Sequence, residues 1–138
     1  MKLAAFVIFS AVLVLAAMLS GRGPATAAAG TIPFTAAQAT TGAKVYAQNC
    51  ASCHGATLKG ITGPALVGTT SGIAQQSLVG VYEYVSQQMP MTAPGSLTKA
   101  QYLSIVAYIL QKNGRKAGSR PLTLSVATTA TATIEAKP

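Results

Sequence analysis

The sequence predicts an all-α domain of three main helices gathered around one site. Three observations carry this. Apolar residues recur at i, i+3, i+4 and i+7 in two segments, the period of a half-buried helix. Two Thr-x-x-Gln strings, Thr35 to Gln38 and Thr98 to Gln101, fit capping boxes. No sustained alternation of apolar and polar residues marks a sheet.

Residues 30–34 form a short lead-in, with Phe34 at the edge of the patterned region. The first helix starts at the Thr35 box and runs to about Cys53, because the stretch is alanine-rich, free of Pro and interrupted only by Gly42. Residues 55–72, rich in Gly, Thr and Pro, read as loop. The second helix runs from about Ile73 or Gln75 to Gln88, with Leu78, Val81, Tyr82 and Val85 on one face. Pro90 follows, and the residue before a proline leaves the helical region, so 89–96 is a loop. The third helix starts at the Thr98 box, buries Tyr102, Ile105, Val106, Ile109 and Leu110, and stops at Asn113-Gly114. Residues 119–138, Ala/Thr-rich and without sustained pattern, read as a flexible tail, with 122–126 as a short extended piece.

The chain has 138 residues, which bounds it at one domain. Residues 1–29 have the form of a leader. Lys2 precedes an almost unbroken apolar run over 3–19, Ser20, Gly21 and Pro24 break it, and Ala27-Ala28-Ala29 offers a small-residue cleavage site. Such a chain is exported, to the periplasm or the outer face of the cytoplasmic membrane. If the leader is retained, residues 3–19 anchor it there. Beyond residue 29 eight basic residues face only Glu83 and Glu135, a formal charge of +6. Nucleic acid is excluded as a partner: no basic cluster extends beyond Arg115-Lys116 with Arg120, and aromatic and basic residues are not interleaved.

Residues 35–115 contain no Trp, and their length makes a core alone marginal. A large buried cofactor would supply the missing apolar mass. The string Cys50-Ala51-Ser52-Cys53-His54 says which one. It holds the only two cysteines and the only histidine of the chain. Random placement would produce this Cys-x-x-Cys-His order in roughly one case in ten thousand. Residues i and i+3 share a helix face, so two thiols there can form thioethers with the two vinyl groups on one edge of a haem. The next residue then presents an imidazole to the iron. A thioredoxin-type dithiol would need a strand-helix context that is absent. A zinc site would be one ligand short. Unused free thiols are out of place in an exported protein. With no second His, the iron's other face is left to Met89, Met91, water or an open position. A thioether there would raise the reduction potential and close the site to small ligands.

Residues 35–118 resemble class I cytochromes c, especially the small bacterial monohaem domains serving periplasmic dehydrogenases or terminal oxidases. Gly42 and Tyr46 match the small and aromatic positions where the family's first helix crosses its last, and Tyr108 matches the aromatic that meets them. Gly63-Pro64-Ala65-Leu66 matches the loop after the haem motif. The resemblance implies that the Pro64 carbonyl orients His54 and that Met89-Pro90 supplies the axial Met, favouring Met89 over Met91. It implies the cytochrome c fold, one covalent haem c, and one-electron transfer to redox proteins such as a dehydrogenase, another cytochrome or an oxidase. Lys44, Lys59, Lys99 and Lys112 are candidates for a positive docking rim. The alternatives are a cytochrome subunit fixed on a larger dehydrogenase or oxidase, and a peroxidase or gas binder with an open sixth position. The latter lacks an evident distal His or Arg.

Overall fold

The computed structural model describes residues 31–135. The leader expected over 1–29 and the last three residues lie outside that range. Among the described residues there are five helices and no strand: α1 Ala36–Asn49, α2 Ala51–His54, α3 Leu78–Gln88, α4 Lys99–Lys112 and α5 Leu124–Thr129. None is long and apolar enough to cross a membrane.

Both Thr-x-x-Gln strings start helices, but only the second closes a reciprocal capping box, because the Gln38 side chain bonds Leu122 instead. The Thr35 hydroxyl accepts from the Gln38 N–H at 3.1 Å. Thr98 and Gln101 cap each other reciprocally at the start of α4. This satisfies N–H donors that a helix start leaves open. The central packing is α1 across α4. Gly42 lets the backbones meet, and the Tyr46 and Tyr108 rings tilt against each other with centroids 5.4 Å apart. α4 is the spine of the core, with every residue from Tyr102 to Leu110 buried.

Three expectations need correction. The first helix does not reach Cys53 unbroken: Cys50, at φ −126°, ends α1, and α2 restarts as one turn closed by Gly55. The second helix begins at Leu78, because Gln75 adopts a left-handed φ of 65° and Ser77 is the cap. Residues 119–135 are not a loose tail. They fold back along α1 and α3, and 122–126 lead into a helix rather than an extended piece.

This returning strap is held at both ends. The Gly118 N–H donates to the Phe34 carbonyl at 2.8 Å. The Gln38 side-chain amide clamps the Leu122 backbone with two bonds, each 2.8 Å. Further on, the Ala132 and Ala130 carbonyls accept the Leu78 and Val79 N–H groups at 2.9 and 3.1 Å. Those are first-turn donors of α3, so one segment's main chain caps another's helix. Leu122, Ala127 and Ile134 supply the apolar anchors, and Ile32 and Phe34 of the lead-in are buried too. The Arg115 guanidinium donates to the Thr133 carbonyl at 2.6 Å.

Candidate functional site

The first turn after α1 sets the site. The Cys53 and His54 N–H groups both donate to the Cys50 carbonyl, at 3.2 and 2.9 Å. That single turn places Cys50, Cys53 and His54 on the wall of one cleft of about 700 Å³. Both cysteines are free thiols, Cys50 half-buried and Cys53 exposed. Burial, and then the neighbouring Cys53, push the Cys50 thiol up to about 11.

His54 is buried, and its Nδ1 lies 2.8 Å from the Pro64 carbonyl oxygen. A carbonyl can only accept, so Nδ1 carries the proton and Nε2 is the free nitrogen. The Pro64 loop approaches closely because residue 63 is Gly. A Cβ there would stand 3.0 Å from His54 Cε1 and 3.1 Å from Nδ1. The loop is tied down by Leu66, whose N–H donates to Leu58 and whose carbonyl accepts from Asn113 Nδ2, at 2.8 and 2.9 Å.

Met89, half-buried, and Met91, 79 % exposed, both line the same cleft. Val81, Val85, Ile105 and Ile109 give it apolar walls. The strap-supported segment contributes Ile73 and Gln76. Among the described residues, no Lys, Arg, Asp or Glu lines the cleft. Lys44, Lys59, Lys99 and Lys112 are thus not among the lining residues, and Lys112 sits over the Tyr108 ring, 5.5 Å from its centroid. Ile61, beside the lining residues Thr62 and Gly63, and Tyr84, on the lining itself, are large, exposed and apolar.

These residues fit the haem expected from the motif. An apolar cleft, two unpaired thiols on one turn and an imidazole with a fixed free nitrogen are what a covalently attached, His-ligated porphyrin needs. A bare metal ion is not served: among the described residues no group of three or more His, Cys, Asp or Glu could hold one.

Two contributors escape sequence reading. Gly63 matters through the imidazole it admits, and only the resemblance points to its loop. Tyr102 looks like one more core position of an amphipathic helix, yet its hydroxyl donates to the Met89 carbonyl at 2.6 Å.

Comparison with known proteins gives a family and a fold. The family described as cytochrome c oxidase, cbb3-type, subunit III matches residues 37–109. The crystal structure of the sulfane dehydrogenase SoxCD from Paracoccus pantotrophus is similar at a TM-score of 0.58 and 25 % identity, covering 83 % of this chain and 68 % of that one. No curated protein matches.

Proposed function

The chain belongs to the cytochrome c domain family of cbb3-type oxidase subunit III, and from that premise we propose that it is a one-electron carrier working outside the cytoplasm between larger redox partners. Domains of this family carry haem c covalently and transfer electrons. In this chain Cys50 and Cys53 would hold the haem as thioethers, His54 Nε2 would ligate the iron on one side and Met89 on the other. When bound, the haem supplies a ferric/ferrous couple at a site closed to substrates.

The observation that carries the reading is the 2.8 Å contact from His54 Nδ1 to the Pro64 carbonyl, above a cleft that also presents both thiols. That contact fixes ring tautomer and orientation before any ligand arrives, and it makes the imidazole a stronger donor. The apolar walls would exclude water from a bound haem and so favour its reduced state. Exposed Met91 and Tyr84 belong to the cleft lining, which holds no charged side chain among the described residues, and this supports docking through apolar contact.

The test is maturation with a c-type haem attachment system. A pyridine haemochrome spectrum should report two thioether links. The weak charge-transfer band of a Met-ligated ferric haem should vanish in Met89→Ala and survive in Met91→Ala. Colourless mature protein with two titratable thiols would refute the proposal, and loss of the band only in Met91→Ala would reassign the ligand.

A second reading is supported by the likeness to a dehydrogenase complex: the domain works as a cytochrome subunit held on a larger enzyme. Co-purification with a partner from native membranes or periplasm at 1:1 ratio would favour it, and a monomer from the same extract would not.

A further inference from the structure

The loop over residues 89–97 carries both methionines and spans the gap between α3 and the Thr98 cap of α4. Its internal bonds are few: Ala93 N–H to the Pro90 carbonyl at 2.9 Å, and two longer ones at 3.3 Å from Gly95 to Met89 and from Ser96 to Ala93. A loop so lightly bonded to itself needs an outside anchor to hold a ligand at one position. The anchor is a single oxygen. The Tyr102 hydroxyl donates to the Met89 carbonyl at 2.6 Å and accepts the Leu97 N–H at 3.3 Å. One phenol therefore joins the first residue of the loop to its last.

Tyr102 is suited to this. It is 3 % exposed, in the first turn of the most buried helix, so its ring is set by the core and not by the loop. A short phenol-to-carbonyl bond out of water is stronger than the same bond on a surface.

We propose that Tyr102 is the positioning residue of the sixth-ligand loop, setting how often the methionine leaves the iron. The inference rests on the proposed Met ligation but not on which of the two methionines provides it, since both ride the same loop. Release of the sulfur requires the loop to lift, and lifting breaks both phenol bonds. The bonds therefore lower the population of the open state, and an external ligand must compete against that bias.

The experiment is an imidazole titration of the mature ferric protein, following loss of the Met-iron charge-transfer band. Tyr102→Phe keeps the ring and removes both bonds, so imidazole should bind roughly 5- to 30-fold tighter, the range expected for one to two lost hydrogen bonds. Leu122→Ala serves as a control, because it unpacks a buried residue of the strap and lowers overall stability while leaving the Tyr102 hydroxyl in place. If Tyr102→Phe gains no more imidazole affinity than Leu122→Ala, the tyrosine is only a core residue and the proposal is overturned. If the band survives in both Met89→Ala and Met91→Ala, the ligand reading fails instead, and the two failures stay distinct.

Should Tyr102→Phe not fold, the unaltered protein still decides. The Leu97 amide, whose partner is the phenol, should be protected from hydrogen exchange and should lose at least tenfold of that protection when imidazole saturates the iron. Unchanged exchange at Leu97 would show that sulfur release leaves the phenol bonds in place, against the proposal.

Discussion

Gly42→Ala tests the crossing on which the whole fold turns. A Cβ at residue 42 would fall 1.8 Å from the Ser104 carbonyl oxygen, 2.4 Å from its carbon and 3.0 Å from Tyr108 Cβ. An ordinary carbon-to-oxygen approach is about 3.3 Å or more, so α1 and α4 would have to part by roughly 1.5 Å at that point. The obstacle is backbone inside a buried helix, and no rotamer change can remove it. Parting the helices loosens the Tyr46–Tyr108 contact and strains the 2.8 Å bond from the Tyr46 hydroxyl to the Gly55 carbonyl, which anchors the turn after His54. Overpacking costs about 1–3 kcal/mol and more where nothing yields. Alanine returns up to about 1 kcal/mol through its better helix propensity. With unyielding backbone as the obstacle the cost should reach about 3–4 kcal/mol, so the net loss should be about 2–3 kcal/mol, which for a domain this size lowers the melting midpoint by roughly 10–20 °C. Thermal unfolding of the mature protein, followed by helical circular dichroism, measures this. A midpoint within about 2 °C of the parent, or above it, would mean the helices do not meet where described, and the reasoning would fail.

Other outcomes follow from the same geometry. Gly63→Ala should crowd the His54 ring and lengthen its bond to Pro64, weakening the donor and raising the reduction potential by up to about 60 mV, a tenfold change in a one-electron equilibrium; an unchanged or lower potential in film voltammetry would contradict this. In the chain before haem attachment, iodoacetamide near pH 8 should label exposed Cys53 well before Cys50, whose thiol burial pushes up to about 11; equal rates by peptide mass mapping would be the contrary result. Burial, with Cys50 and Tyr108 adding to it, pushes the Tyr46 phenol up to about 12 from an ordinary value of 10.0. The folded state holds that proton longer than the unfolded chain, so the stability it contributes is complete below about pH 10 and is lost as pH rises towards 12. The stability gap between the parent and Tyr46→Phe should shrink over that window in denaturant titrations, and a constant gap would refute the assignment. Electron exchange with a natural partner should change less than about twofold between 20 and 200 mM salt if docking runs through the uncharged cleft lining; a steep decline in stopped-flow rates would point to the lysines instead.

Much of the site could be read from residues alone because its chemistry is local. Cys50, Cys53 and His54 share one helical turn, and a turn is short enough for spacing to define it. The α1–α4 crossing at Gly42, Tyr46 and Tyr108 stands where the resemblance puts it, since a small residue facing an aromatic has few ways to pack. The Pro64 carbonyl likewise stands at His54. Illegible features depend on contacts distant in sequence. Nothing about Tyr102 distinguishes its hydroxyl from any core tyrosine until the Met89 carbonyl arrives opposite it. The late start of α3 turns on a left-handed Gln75, a conformation that side-chain pattern does not announce. The uncharged lining of the cleft could not be seen in the composition either, because a net positive chain says nothing of which face its lysines occupy.

The strap over 119–135 carries a practical lesson about how far the folded domain extends beyond its recognisable segment. Its grip is written mostly in peptide carbonyls and amides, which every residue but proline offers alike, with a handful of small apolar plugs. Similarity scored on side chains stops at residue 109, whereas the architecture continues past residue 130. A shortened chain cut at the limit of the recognisable segment would lose the last turn of α4 and bare the leading amides of α3. The wall beside Ile73 and Gln76 would then lose its backing, although no residue of the haem motif had been touched.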